Sequence, residues 1–178
     1  YVQPVSEIEG PGICGLTRPL HVTALLGGTV KLNTRATLDC SMVAELESWL
    51  TDVVQPAAMA RFGQPVAQIN SMGAYACRGM NNQIGARISE HAFGNAIDIG
   101  GFVLADGRAI VIRRDWTHGD EQTQAFLREA QGGAGAQRIV VGPQGGHRRL
   151  EQGQGAVVVP HGGLGLAEHA AGQRDQPG

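Results

Sequence analysis

The chain has 178 residues, with 14 basic and 16 acidic side chains and a formal net charge of −2. This length suits one domain with a substantial core, and we predict one domain rather than two. The charge gives no basic field, so nucleic acid is not an expected partner. No apolar run approaches the ~20 residues that span a bilayer, so no membrane span is expected. The chain begins at Tyr1 without a signal peptide, which does not settle its compartment.

The first part of the chain predicts an arm followed by short strands. Residues 1–13 contain two prolines and two glycines, and we expect an irregular N-terminal arm without its own core. Apolar residues within 20–32 surround Gly27 and Gly28, which predicts extended segments joined by a turn.

The clearest helix signal begins at Asp39, an effective N-cap, and continues to about Val54. Apolar residues recur there at steps of three and four and predict a packed stripe of Met42, Leu46, Trp49, Leu50 and Val53. We expect Pro56 to interrupt this helix, with a further helical turn before Gly63. Residues 65–70 predict a strand.

A hairpin and a second helix follow further along the chain. Two apolar runs within residues 102–112 flank Asp106 and Gly107, which is a strong β-hairpin signal. Asp120 predicts the N-cap of a helix that continues to about Ala130.

The composition changes after this helix. Residues 131–178 contain 13 of the 27 glycines, and all eight aromatic residues precede them. Such a segment buries little and costs much to order, so we predict an atypical glycine-rich tail, largely loop or disorder, with strand candidates at 138–141 and 156–159. The predicted fold is therefore a single α+β domain over residues 14–130, with helices packed on a mainly antiparallel sheet.

A candidate metal site lies in SEHAFGNAIDIGGF, residues 89–102. His91 offers a ring nitrogen and Asp98 a carboxylate oxygen, both common zinc ligands, and Gly94 allows a sharp turn between them. Asp98 begins a short apolar run typical of a buried strand, where an unpaired carboxylate is costly. For these two residues alone, a loop histidine and a satisfied strand-end aspartate are the alternative interpretation.

The full pattern, SxHxxGxAxD, resembles the zinc-binding signature of the D-Ala-D-Ala carboxypeptidases and murein endopeptidases; it is formed by Ser89, His91, Gly94, Ala96 and Asp98. The chain most resembles the extensin-like protein C-terminal domain of bacteria, from about Cys14 to about Ala130. Besides the signature, the matching features are CGLTRPL, the helix after Asp39, GAYACR, DW and AFLR. The resemblance implies a hedgehog/DD-peptidase-like fold in the periplasm or cell envelope. It also implies a zinc-dependent peptidase-like domain that acts on D-amino-acid amide bonds of peptidoglycan peptides.

Arg78 is the catalytic candidate that the resemblance adds. In the resembling peptidases an arginine upstream of the signature faces the catalytic cleft. Arg78 is therefore expected to hold a substrate carboxylate or a developing oxyanion through paired hydrogen bonds. A surface arginine paired with a neighbouring acid is the alternative. Neither the sequence nor the resemblance indicates an oligomeric state.

The expected zinc site is incomplete in sequence. A hydrolytic zinc site uses three protein ligands, and His91 and Asp98 supply two. In the family the third lies in an HxH context near the C-terminus, and this chain contains no HxH; His147, His161 and His169 remain. We therefore expect an impaired peptidase. A shifted reading frame that replaced the tail would account for this impairment. The alternatives are a non-catalytic cell-envelope binding module, a damaged reading frame without function, and a divergent tail in which His147 or His161 completes the site.

Three cysteines are present, Cys14, Cys40 and Cys77, without CxxC spacing. They predict one disulfide and one remaining thiol, with the pairing left open. The family typically carries a further cysteine after AFLR, which this chain lacks.

Overall fold

The computed structural model describes residues 1–80 and 85–133 and the backbone of residues 139–141. In this part of the chain, helices cover one side of a mixed sheet, which is the predicted α+β class. None of the helices described is both long enough and apolar enough to cross a membrane.

The strands and helices follow one another along the chain as the sequence largely predicts. The strands are β1 (Val2–Pro4), β2 (Ile8–Glu9), β3 (Gly15–Leu16), β4 (Pro19–Leu25), β5 (Val30–Asp39), β6 (Val66–Gly73), β7 (Ile97–Leu104), β8 (Ala109–Val111) and β9 (Ile139–Val141). The helices are α1 (Cys40–Trp49), α2 (Gln55–Phe62), α3 (Ile112–His118) and α4 (Glu121–Gly133).

Within the described residues, one sheet has the order β1-β4-β5-β6-β7-β8, with β9 also paired to β7, and β2 pairs separately with β3. The β5–β6 and β7–β9 pairs are parallel and the others antiparallel, which confirms a mainly antiparallel sheet. The core lies between this sheet and the helices, and its largest fully buried side chains include Trp49, Phe102 and Phe126.

Helix α1 begins where its cap predicts. The Asp39 carboxylate accepts a hydrogen bond from Ser41 N at 2.9 Å, and Met42, Leu46 and Trp49 are buried. The expected interruption at Pro56 is wrong. A π-helical turn, Leu50–Val54, continues the helical path into α2. Pro56 lies in the first turn of α2, where a backbone N–H is not required by the helical hydrogen-bond pattern, so its missing N–H is tolerated.

Helix α2 ends as predicted at Gly63, which adopts the left-handed conformation with φ of 64°. The predicted hairpin is also confirmed, because Phe102 pairs with Ile110 across a turn in which Gly107 has φ of 89°. Its second strand is shorter than expected, since Ile112 begins α3.

Helix α3 is absent from the prediction because its helical signal is short. Its first turn is stabilised by Asp115, which accepts a hydrogen bond from Val111 N at 2.8 Å, and Ile112 is fully buried. Helix α4 has the predicted cap, since Asp120 accepts from Thr123 N at 2.7 Å. It ends at Gly133 rather than Ala130.

The irregular arm predicted for residues 1–13 contains two short strands. Strand β1 pairs with β4 at the sheet edge, where Pro4 is tolerated because an edge strand need not donate every N–H. Strand β2 pairs with β3, which lies just after the arm.

The tail begins with a short strand. The strand candidate 138–141 forms β9, and the candidate 156–159 lies outside the described residues.

The carboxylate of Asp115 gives the fold an acid-sensitive contact. Hydrogen bonds from the Arg114 guanidinium at 2.6 and 2.8 Å, aided by the Val111 N–H, hold the pKa of Asp115 below its ordinary value. A carboxyl group with a lowered folded-state pKa contributes stability above its unfolded pKa, about 3.9, and loses it as pH falls through the folded pKa. The difference in thermal midpoint between the parent and Asp115→Asn should therefore be constant near neutral pH and shrink below about pH 4. A difference that grows on acidification would contradict this assignment.

Candidate metal centre

The predicted signature folds as a short capped turn leading into a buried strand. Residues Glu90–Phe93 form a 3-10 turn, and the Ser89 hydroxyl accepts a hydrogen bond from His91 N at 3.4 Å at its start. This turn brings His91 to the sheet, where its side chain is buried.

Gly94 ends this turn for two physical reasons. Its φ of 65° lies in the left-handed region, which favours glycine. A Cβ atom there would lie 2.3 Å from Leu16 Cδ2 and 2.8 Å from Asp39 N, and the Gly94 carbonyl accepts a hydrogen bond from that same Asp39 N at 3.0 Å. The signature glycine therefore combines a conformational requirement with a close approach to β5.

Asp98 lies on β7 between two core residues. Ile97 and Ile99 are fully buried, and Asp98 alternates with them, so its side chain lies on the opposite side of the strand. It pairs with Gly73, the last residue of β6, after a register shift in the β6–β7 ladder. A Cβ at Gly73 would lie 3.3 Å from Asp98 Oδ2, so the carboxylate rests against the end of β6.

His91 and Asp98 meet as predicted, with His91 Nε2 3.2 Å from Asp98 Oδ1. Both residues are buried, at 6% and 5% exposure. The other ring nitrogen, Nδ1, lies 2.5 Å from the Ala74 carbonyl oxygen. A carbonyl can only accept, so Nδ1 carries a hydrogen and Nε2 faces the carboxylate.

This arrangement requires a proton or a metal ion between the two side chains. The Nε2 lone pair and a carboxylate oxygen repel each other unless a proton or a metal ion lies between them. Two bonds of about 2.0 Å to one zinc ion would span a 3.2 Å separation at an angle near tetrahedral. A backbone carbonyl on the far ring nitrogen is also the usual support of a metal-binding histidine. The pair therefore fits zinc, and an imidazolium–carboxylate ion pair is the alternative.

The described residues supply no third ligand to this pair. In that part of the chain, no three His, Cys, Asp or Glu side chains are grouped so as to hold a metal ion. His21 lies on β4, paired with Thr37 of β5, and His118 is exposed at the end of α3 beside the Thr117 hydroxyl. His147, His161 and His169 lie outside the described residues.

Residues 74–80, which we call the wall segment, run along the signature and bring Arg78 near it. Three backbone hydrogen bonds join the wall segment to residues 87–91: Ala76 N to His91 O at 3.1 Å, Ser89 N to Arg78 O at 3.0 Å, and Met80 N to Arg87 O at 2.8 Å. The Arg78 side chain is half-buried, and no polar partner of its guanidinium is present in the described part of the chain.

The cysteines resolve into one pair and one thiol. Cys14 and Cys77 form a disulfide with a Cα–Cα distance of 5.6 Å, and Cys40 is an exposed free thiol. Cys77 belongs to the wall segment, so the disulfide lies close to the site. The sequence predicted one disulfide but could not choose the pairing.

The Ala74 carbonyl is one contact of His91 that the sequence did not predict. The Ala74 carbonyl orients His91, but every residue has a carbonyl, so only the path of the chain identifies it. The motif GAYACR contains Ala74 and indicated that this segment matters, but it did not indicate which atom contacts His91.

The comparisons with known proteins give one result. The sequence model of the family described as Extensin-like protein C-terminus matches residues 1–148. This range extends beyond both ends of the predicted resemblance, Cys14 and Ala130, so family-like sequence reaches into the arm and the tail. No curated protein and no solved structure matches the chain. The match covers most of the 178 residues, and the chain belongs to the family of the extensin-like protein C-terminus.

Proposed function

We propose that this chain is a zinc-dependent peptidase-like domain with a hedgehog/DD-peptidase-like fold, impaired in its reaction, that acts on D-amino-acid amide bonds of peptidoglycan peptides. The observation that carries the proposal is the buried contact of 3.2 Å between His91 Nε2 and Asp98 Oδ1, with His91 Nδ1 held by the Ala74 carbonyl. Burial of an imidazole and a carboxylate costs free energy unless both groups are paired. Binding a metal ion between them is one arrangement that offsets this cost.

The chain's own residues would bind and orient the reactants. His91 and Asp98 would hold the metal, and the Ala74 carbonyl fixes the ring that offers Nε2. Zinc held there would supply Lewis acidity, which would lower the pKa of water and polarise a peptide carbonyl. Arg78, on the adjacent wall segment, would bind a substrate carboxylate or the developing oxyanion, because its planar guanidinium can donate two parallel hydrogen bonds.

The expected impairment follows from the ligand count. Catalytic zinc sites use three protein ligands, whereas the sequence has no HxH motif and the described residues hold two candidate ligands at this site. The same observation supports a second function, a cell-envelope module that binds wall peptides without cleaving them. A module of this kind would use Arg78 to bind a peptide carboxylate and would lack turnover.

The proposed location is the periplasm or cell envelope. The Cys14–Cys77 disulfide supports it, because disulfides persist in oxidising compartments and are rare in the cytosol.

A peptide ending in D-Ala-D-Ala tests both functions. The full chain, incubated with this peptide and excess zinc, should release D-Ala slowly, and His91→Ala should abolish the release. Peptide binding measured by calorimetry without any D-Ala release would favour the binding module. Neither binding nor release by the folded chain would contradict both functions.

Arg78→Ala should separate the arginine's role from that of the metal. Loss of a donor to the carboxylate or oxyanion is expected to reduce kcat/KM for D-Ala release by about 10²–10³-fold, with zinc binding unchanged. Arg113→Ala is the matched control, because Arg113 is an exposed arginine on α3. If both variants hydrolyse the peptide equally well, Arg78 has no role in the site.

A further inference from the structure

The wall segment is held from the outside by a small hairpin. Residues 8–16, which we call the clasp hairpin, comprise β2, a turn and β3. Its strands pair over two residues each, as Ile8 with Leu16 and Glu9 with Gly15. Such a short two-stranded pair is marginal on its own, so its position depends on its attachments.

The first attachment is to the wall segment. Cys14 of the clasp hairpin is bonded to Cys77, three residues after the carbonyl that orients His91. Beside the disulfide, a Cβ added to Gly10 would lie 3.0 Å from the Tyr75 hydroxyl and 2.9 Å from Cys14 Cβ. The turn of the clasp hairpin therefore packs closely on the wall segment.

The second attachment is to the turn that carries His91. Leu16 of β3 is buried, and its Cδ2 atom lies 2.3 Å from the position of a Cβ at Gly94. One hairpin thus contacts both structures that set the His91 ring: the wall segment, which supplies the Ala74 carbonyl, and the 3-10 turn, which supplies the histidine.

We propose that the clasp hairpin is a positioning element for the metal centre, and that the Cys14–Cys77 disulfide attaches it. Cys14 and Cys77 are positioning residues, because they act on His91 through the wall segment. The disulfide joins residues 63 apart in sequence, so its removal restores much freedom to the hairpin. The Ala74 carbonyl then orients the ring less well. The effect on metal affinity rests on the proposed function, whereas the effect on the ring does not.

The test replaces both cysteines in the full chain. Cys14→Ser with Cys77→Ser, made with Cys40→Ser to prevent mispairing, should weaken zinc affinity by about 10–100-fold, the range typical of groups that orient a metal-binding histidine. Without zinc, nitrogen-detected NMR of the His91 ring should show Nδ1 carrying a hydrogen in one ordered state in the parent, because the Ala74 carbonyl can only accept, and a mixture of ring states in the variant. Cys40→Ser alone should match the parent in both measurements.

A stability control separates positioning from general loosening. Val54→Ala removes buried methyl groups from the π-helical turn and should lower the thermal midpoint without changing zinc affinity or the His91 ring signals. The proposal is overturned if the cysteine variant, still folded, keeps the parent's ring signals. If the parent binds no zinc, the proposed function fails, and the ring signals alone decide the role of the disulfide.

Discussion

His91→Ala should abolish measurable zinc binding by the full chain, because it removes one of two protein ligands and should cost more than the roughly 10–100-fold typical of losing a group that only supports a ligand. The substitution removes the Nε2 donor and leaves Asp98 as the only predicted ligand of the pair. It should also lower the free energy of unfolding by about 1–3 kcal/mol, because the buried Asp98 carboxylate loses a partner. Calorimetric titration with zinc measures the first effect and urea unfolding the second.

His118→Ala is the matched control for this variant. His118 is exposed at the end of α3 and contacts the Thr117 hydroxyl, so its loss should change neither zinc affinity nor stability by much. Equal zinc affinity in His91→Ala and His118→Ala would exclude His91 as a ligand and favour the imidazolium–carboxylate ion pair.

Gly94→Ala should destabilise the protein by about 2–5 kcal/mol, since left-handed backbone strain and overpacking each cost about 1–3 kcal/mol. The φ of 65° gives the strain, and the approach of Leu16 and Asp39 N gives the overpacking. Any relaxation moves the turn that carries His91, so zinc affinity should fall as well. Chemical denaturation and zinc titration measure the two losses.

Gly63→Ala isolates the backbone contribution. Gly63 also ends a helix with φ of 64°, but a Cβ there would have no atom within 4 Å. Its substitution should cost about 1 kcal/mol and leave zinc affinity unchanged. If Gly94→Ala costs no more than Gly63→Ala, the close packing of Leu16 on the turn does not contribute to the site.

The parts of the fold that the sequence predicted have local causes. The Asp39 cap, the Asp106–Gly107 hairpin and the turn at Gly94 are each specified by neighbouring residues, so single-sequence patterns identify them. The signature also placed His91 and Asp98 together, because a short turn between them leaves few other paths.

The remaining features depend on contacts between distant segments. The course of the wall segment places Cys77 beside Cys14. It also places the Ala74 carbonyl beside the His91 ring. Helix α3 depends on burial of Ile112 in the core. Pro56 predicted an interruption of the helix. The π-helical turn that continues the helical path instead has little sequence signal, so it was not predicted.

The proposed activity depends on whether the tail supplies a third zinc ligand. Strand β9 pairs with β7 at Asp98, and the family match continues through residue 148, so the first part of the tail belongs with the domain. His147 is the first histidine after β9 and falls within the match. An HxH motif in an alternative frame of the coding DNA would support a frame change further along the tail.

Equilibrium dialysis of the full chain against zinc, alongside His147→Ala and His161→Ala, shows whether the zinc site is incomplete. An incomplete site with two protein ligands should bind zinc weakly, so at low micromolar free zinc each chain should carry much less than one ion, equally in all three proteins. One tightly bound zinc per chain, lost in His147→Ala or His161→Ala, would contradict an incomplete site. That result would show a complete three-ligand centre in place of an impaired one.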